Sequence, residues 1–449
     1  MFAKLQARMH PAPYAPAIQE KNQVDKLYKY WRMRITYSLI MGYAVFYLTR
    51  KTFTYAMPYI AQELGFNKIE LGALGSILYL TYGISKFISG AVSDRSNPRY
   101  FMAFGLILAG FCNIAFGLSS SFWLFALFWG LNGWFQAWGW PPCCKCLTYW
   151  FNRSERGLWY SICNTSHNLG GAVIPVLTVF LAMNYGWRWA MFIPAFISIG
   201  MGLVLINRLR DVPQTLGLPP IEEKHKEPAT EHIRLKPLSI KEIMLKNVLN
   251  NKFVWLFAII NFFVYFVRTA ISDWSVLYLM EAKEAGDVLA SQAPFWFEMM
   301  GIAGMLIAGF ASDFFYKGNR VPIIVLCGFG MLVSILGLWW TPDHMIYLDF
   351  VFYASLGFFV FGPQMIVGLA ASECVDKRAA SSANGFAGTL GYIGAASAGL
   401  PVGLGIEVWG WAGYYISMVI CAICIFFLLI PFWSNPNTNQ RREVDVITF

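Results

Sequence analysis

GYAVFYLTRKTFTY, residues 42–55, is an apolar run with two cations at its middle, Arg50 and Lys51. It reads as one long membrane helix, and at that depth hydrocarbon should surround every side chain. An Arg at the centre of such a helix costs about 2.5 to 3.5 kcal/mol on insertion scales, so it is kept where it faces an internal cavity and has a partner. The chain then repeats the arrangement. Asn261–Asp273 (NFFVYFVRTAISD) is a second apolar run, and its Arg268 lies 218 residues after Arg50. The same shift lays Tyr47 on Tyr265, so both runs carry Tyr-x-x-Arg, an i, i+3 pair on one helical face. The chain reads as a frame that points two arginines at one anion.

The rest of the sequence is suited to that depth. Of its 449 residues, 57% are hydrophobic and 13% charged, and the mean hydropathy is +0.50, too apolar for a soluble domain of this length. The expected fold class is all-α: a polytopic membrane protein with twelve transmembrane helices in two six-helix halves. Spans of about 20 residues are expected near 34–60, 69–93, 99–118, 122–147, 157–182 and 188–207, then near 252–280, 290–312, 321–340, 345–372, 380–404 and 409–433. This divides the chain into an N-terminal segment (1–33), a first half (34–207), a linker (208–251), a second half (252–433) and a tail (434–449).

The net charge of +9 is explained by where the basic residues lie. They crowd the loops on the side of the two termini (Arg32, Arg34, Arg95, Arg99, Arg153, Arg156, Lys317, Arg320, Lys377, Arg378), while Lys68, Arg188 and Lys283 are on the other. By the positive-inside rule both termini are cytoplasmic, and nucleic acid is not an expected partner. The polar N-terminus lacks the apolar core of a cleaved signal. The nine cysteines fall mostly within spans, where thiols act as small hydrophobes. Cys143, Cys144 and Cys146 follow Pro141-Pro142 without ligands at metal spacing, so they read as helix packing, and neither metal nor cofactor is expected.

Four landmarks recur between the halves. The two arginines are 218 apart; Ser93-Asp94 recurs as Ser312-Asp313 at 219; Arg156 recurs as Arg378 at 222; and Gly186-Trp187 recurs as Gly410-Trp411 at 224. Offsets this close imply an internal duplication of six helices. Parallel repeats of this kind build one large transporter architecture, with the substrate near the bilayer midplane.

The loop Gly90-Ala-Val-Ser93-Asp94-Arg95 resembles the signature of the major facilitator superfamily. Further motifs are Tyr47-Leu-Thr-Arg50-Lys51-Thr-Phe, Tyr82-Gly-Ile-Ser-Lys86-Phe, Gly139-Trp140-Pro141-Pro142-Cys143, Ser166-His167-Asn168-Leu-Gly170-Gly171 and Phe361-Gly362-Pro363-Gln364. Together they resemble the organophosphate:phosphate antiporter family. That family includes hexose-phosphate, glucose-6-phosphate and glycerol-3-phosphate transporters and a transporter-like hexose-phosphate sensor. The resemblance implies import of a hexose phosphate, glucose 6-phosphate foremost, in exchange for inorganic phosphate across a cell inner membrane by a monomer. Sensor and glycerol-3-phosphate:phosphate antiporter are the alternatives. Asn384 and Ala387 depart from it, standing where the hexose-phosphate branch tends to have an acid and a lysine.

Arg50 and Arg268 are the expected phosphate ligands, because a guanidinium fork matches phosphate oxygens bidentately and a phosphate monoester carries about −1.5 to −2 at neutral pH. The alternative reading of the residues alone is that each pairs with a carboxylate, Asp273 or Glu298. The resemblance places His167 and Lys86 near the site, and imidazole titrates in the range where phosphate monoesters change charge. Tyr43, Tyr47, Tyr82, Tyr265 and Tyr392 offer hydroxyls, with Tyr47 and Tyr265 foremost because they share the arginine faces. Gln136, Trp140, Glu298 and Asn384 are candidates for the organic moiety. Asp94, Arg95, Arg99 and Asp313, at helix ends, are expected in gating charge networks. A membrane enzyme is not expected, since no nucleophile and base stand at workable spacing beside the arginines.

Overall fold

The computed structural model describes residues 9–94, 96–224, 248–316, 318–375 and 379–434. Arg95, Lys377, Arg378 and most of the expected linker and tail lie outside the described residues, as do the side chains of Asp94 and Arg156.

Every described regular element is helical. In chain order the helices are α1 (Lys21–Arg50), α2 (Thr52–Leu64), α3 (Lys68–Asp94), α4 (Pro98–Gly117), α5 (Phe122–Gln136), α6 (Trp140–Trp150), α7 (Arg153–Tyr185), α8 (Trp187–Arg208) and the short α9 (Ile221–Lys224). They continue as α10 (Lys252–Ala282), α11 (Asp287–Ala290), α12 (Gln292–Phe314), α13 (Val321–Trp340), α14 (Ile346–Glu373), α15 (Ala380–Ser397), α16 (Leu400–Trp409) and α17 (Trp411–Leu429). Among the described residues, nine helical segments are long and apolar enough to cross a membrane. The chain is an all-α, multi-pass membrane protein.

Each expected span coincides with one helix or with two in succession, and the divided ones depart from expectation. The run 42–55 is not one helix: α1 stops at Arg50, Lys51 takes φ −110°, ψ 0°, and α2 resumes at Thr52. The cause is a side chain inserted into the ladder, for Asn132 Nδ2 donates to the Thr49 carbonyl at 2.9 Å. The fourth span divides at Ala137–Gly139, where Pro141 and Pro142 are tolerated because they lie in the first turn of α6. The eleventh divides at Ala398–Gly399.

Two further departures concern the chain outside the spans. Helix α1 starts at Lys21, well before residue 34. The first part of the expected linker is packed: Leu209, Leu218 and Ile221 join the cluster around Tyr28, Phe46 and Trp150. A strap of residues 9–28 holds it there. Asn97 N donates to Met9 O at 2.8 Å, Ala15 N to Gln214 O at 3.0 Å and Ile18 N to Gly217 O at 2.9 Å, and the Tyr28 hydroxyl donates to Pro219 O.

The helices group into two compact units. Among the described residues, one comprises 9–53, 81–174 and 185–224, and the other 54–80, 175–184 and 248–434. In the first, α4 lies against α8 with Gly110 facing the Ala195 carbonyl and Gly202 facing that of Ala103, while Ser85 and Ser89 of α3 donate to the carbonyls of Trp134 and Ala137. The second repeats the theme: Gly328 of α13 abuts Ile425 of α17, Gly304 of α12 abuts Phe358 of α14, and Gly357 of α14 abuts Phe297 of α12. Small residues let backbones touch where lipid offers no hydrophobic drive for association.

A Cβ at Gly304 would land on the Phe358 carbonyl, whereas Gly200 faces open space. Gly304→Val is therefore expected to destabilise the protein by about 1–3 kcal/mol through overpacking, seen as a lower melting temperature in heated-sample size-exclusion chromatography. Gly200→Val should leave it unchanged; an equal fall in both would undo the close-approach argument.

Candidate functional site

Arg50 is the last residue of α1 and is 5% exposed. Its Nε donates to Gln136 Oε1 at 3.2 Å, and its guanidinium carbon lies 4.3 Å from the Tyr47 ring centroid and 4.6 Å from that of Tyr82. A cation over an aromatic face is stabilised by the ring quadrupole, most strongly where water is excluded. Gln136 is itself held, donating from Nε2 to Thr49 Oγ1 at 2.9 Å and to Asn132 Oδ1 at 3.2 Å. Asn132 donates to Asn113 Oδ1 at 3.1 Å, and Asn113 to Thr52 Oγ1 at 3.2 Å. The result is a relay of fixed amides that ends on the arginine and also causes the break at Lys51.

The other candidates of this unit are arranged through rings. Tyr43 meets Tyr47 at 5.8 Å and Trp140 at 4.9 Å between centroids, and His167, 4% exposed, meets Tyr47 at 5.5 Å. The His167 Nδ1 faces the Asn164 carbonyl one turn back on α7. Lys86 is half-buried on α3, four residues beyond Tyr82.

In the second unit, Arg268 lies midway along α10 with its guanidinium carbon 4.8 Å from the Phe361 ring and 6.0 Å from that of Tyr265. Tyr265 meets Tyr392 at 5.5 Å. Glu298 of α12, 3% exposed, stands 4.0 Å from Arg268 Nη2, a loose ion pair. In both units the tyrosine three residues before the arginine lies under its guanidinium, as the shared helical face requires. Asn384 is exposed and lies against Gly368. Asn261 Nδ2 donates to the carbonyl of Ala387 at 2.8 Å.

Within its own unit, Asp273 is 3% exposed and accepts from the Tyr79 hydroxyl at 3.2 Å and from Thr54 Oγ1 at 3.5 Å. Of the residues expected in gating networks, Asp313 pairs with Arg320 at 2.5 Å, and Arg320 also holds Glu373 through Nη2 at 3.0 Å. Arg99 Nε donates to the Ile206 carbonyl.

The chain matches the profile of the Major Facilitator Superfamily over residues 39–399. It is 50% identical over 446 residues to a probable hexose phosphate transport protein of Chlamydia pneumoniae, covering 96% of this chain and 98% of that one. The chain belongs to the Major Facilitator Superfamily. Within it the organophosphate:phosphate antiporter family is the one that the motifs indicated. The membrane sensor protein UhpC of Salmonella typhimurium is 44% identical over 432 residues, covering 96% of this chain and 98% of its own. Among solved structures, an inward-facing, unoccupied bacterial homolog of the human lysosomal transporter Spinster has a TM-score of 0.72 at 16% identity, covering 91% of this chain and 98% of its own. A member of this superfamily is a transport-type membrane protein, not an enzyme.

Sequence reasoning missed Thr49, Asn113 and Asn132, the amide relay behind Arg50. The spacing of Asn132 and Gln136, four apart on one helical face of a span, was the available signal. Phe361, under Arg268, was missed although it opens a quoted motif.

Gln136→Leu removes the acceptor of a buried guanidinium and a donor to Thr49, so a loss of about 1–3 kcal/mol is expected. Gln136→Glu makes the bond to Arg50 charge-assisted but loses the donations to Thr49 and Asn132, so its melting temperature should lie between those of Gln136→Leu and the parent. A Gln136→Leu protein as stable as the parent would show that the relay carries no load.

Proposed function

We propose that the protein exchanges a sugar phosphate, glucose 6-phosphate foremost, for inorganic phosphate by alternating access, with Arg50 and Arg268 as ligands of the phosphoryl group. The observation that carries this reading is the matched pair of intramembrane guanidiniums, each backed by the tyrosine three residues before it. The 50% identity to a protein named for hexose phosphate transport supports the substrate class. Gln136 and the rings of Tyr47 and Tyr82 orient the fork of Arg50, so it meets a phosphoryl oxygen with little reorganisation. Glu298 is the competitor for Arg268, and the dianion displaces it. Tyr43, Tyr265, Tyr392, His167, Lys86 and Trp140 surround the remaining oxygens and the sugar. Asp94, Arg99 and Asp313 act in gating at the cytoplasmic ends of an inner-membrane carrier.

Exchange follows from electrostatics. In the empty carrier, closing around two guanidiniums with no anion between them costs repulsion and desolvation in a low dielectric. A bound dianion offsets both, so the carrier reorients when loaded. Labelled phosphate trapped in proteoliposomes should leave quickly when phosphate or glucose 6-phosphate is outside and slowly into anion-free buffer. Equal efflux in both conditions would dispose of the exchange mechanism. The same assay separates a second reading, a membrane sensor, favoured by the 44% identity to UhpC: binding of glucose 6-phosphate without any flux would select it.

Arg50→Lys and Arg268→Lys should each weaken phosphate binding to the purified protein by about tenfold or more, because a point charge does not reproduce the bidentate fork. Glu298→Gln should tighten binding of inorganic phosphate several-fold, since it removes the competing carboxylate. Lysine variants that bind as the parent does would remove the arginines from the site.

A further inference from the structure

Three guanidiniums converge where α8 ends, Arg34 among them lying on α1 well before its Tyr47–Arg50 pair. Arg210 Nη1 donates to the carbonyls of Asn207 at 2.9 Å and Leu209 at 2.7 Å. Arg34 Nη2, from α1, reaches the same Asn207 carbonyl at 3.4 Å and Asn207 Oδ1 at 3.2 Å. Arg99, from the first turn of α4, donates to the neighbouring Ile206 carbonyl. Arg34 and Arg210 also share one ring, at 4.7 Å and 4.6 Å from the Trp31 centroid.

Helix carbonyls explain only part of this gathering. A helix C-terminus supplies about half a negative charge, against three full positive ones. Among the described residues no carboxylate lies within ion-pair distance of Arg34, Arg99 or Arg210. Asp211, next in sequence, is taken by Lys145 at 3.1 Å and by the Ala12 amide at 3.1 Å, and Glu155 by Arg32 at 2.5 Å. The Nε of Arg34 is buried with no hydrogen-bond partner. Burial, and then Arg99 and Arg34, push the ionisation of Arg210 below its usual range. The cluster therefore has an excess of cation that nothing in the described chain offsets.

The surface beside the cluster is apolar. Met33, Tyr37 and Met41 form one exposed stripe of α1 at four-residue spacing, and Leu203 and Val204 are exposed on α8 one turn inside Asn207. Cations at the end of spanning helices above an exposed apolar strip match the two parts of a phospholipid, a phosphate head and acyl tails. We propose that Arg34, Arg99 and Arg210 bind the phosphate of an anionic lipid headgroup, with its chains along Met33, Tyr37, Met41 and Leu203. Bound there, the lipid ties α1, α4 and α8 together at one membrane face.

The test uses the full-length protein, delipidated in detergent and then offered phosphatidylglycerol and phosphatidylcholine in equal amounts, with retained lipid counted by native mass spectrometry. The parent should retain phosphatidylglycerol about tenfold over phosphatidylcholine. R99Q/R210Q should lose most of that preference and R99K/R210K should keep part of it. The parent measurement alone is decisive if the glutamine variant does not fold, because equal retention of the two lipids overturns the proposal. Full preference in a folded R99Q/R210Q overturns it as well. A free-phosphate arm uses R50Q/R268Q, in which the transport site is disabled. Millimolar inorganic phosphate that raises the melting temperature of R50Q/R268Q as much as phosphatidylglycerol does would assign the cluster to a soluble anion and overturn the lipid.

Discussion

A guanidinium inside a membrane helix has to be solvated by the protein itself, and much of this structure is the answer to that requirement. Around Arg50 the answer includes an amide, held by further amides, and the faces of two tyrosines. Around Arg268 it is mixed, with a carboxylate at 4.0 Å and the rings of Phe361 and Tyr265. The two halves thus share the position of the cation and differ in what supports it.

The same constraint shapes the helix axis. Asn132 supports Gln136, and Gln136 supports Arg50, but Asn132 also takes the Thr49 carbonyl that an unbroken helix would use. The break at Lys51 and the fixed guanidinium are two outcomes of one side chain.

Two further buried lysines lie near helix ends and are tied to backbone. Lys145 bridges Asp211 and the Ser96 carbonyl, so α6, the α3–α4 turn and the segment after α8 are joined by one ammonium. Lys283 holds Asp343 at 3.3 Å and Asp349 at 3.9 Å and donates to the Thr341 carbonyl, fixing the end of α10 against the turn before α14. Removing one partner of such a pair leaves a buried charge uncompensated, which costs more than loss of an apolar contact. The arginine cluster at the end of α8 is the exception in that region, since its cations are gathered without a counter-charge from the described chain.

The sequence by itself determined the helical membrane class, the two arginines, the shared face of Tyr47 with Arg50 and Tyr265 with Arg268, and the family. Those features rest on local hydrophobicity, on fixed helical periodicity and on motifs, all of which are written in one dimension. Tertiary structure alone decided that Gln136 meets Arg50 Nε and Glu298 meets Arg268, that Asn384 lies against Gly368, that residues 42–55 are divided, and that the segment after Arg208 folds under the N-terminal strap. Each of these depends on a partner many residues away: Asn132 for the break, Met9 to Tyr28 for the strap. No local pattern records which distant carbonyl or ring a side chain will find, because that choice is made by the packing of whole helices.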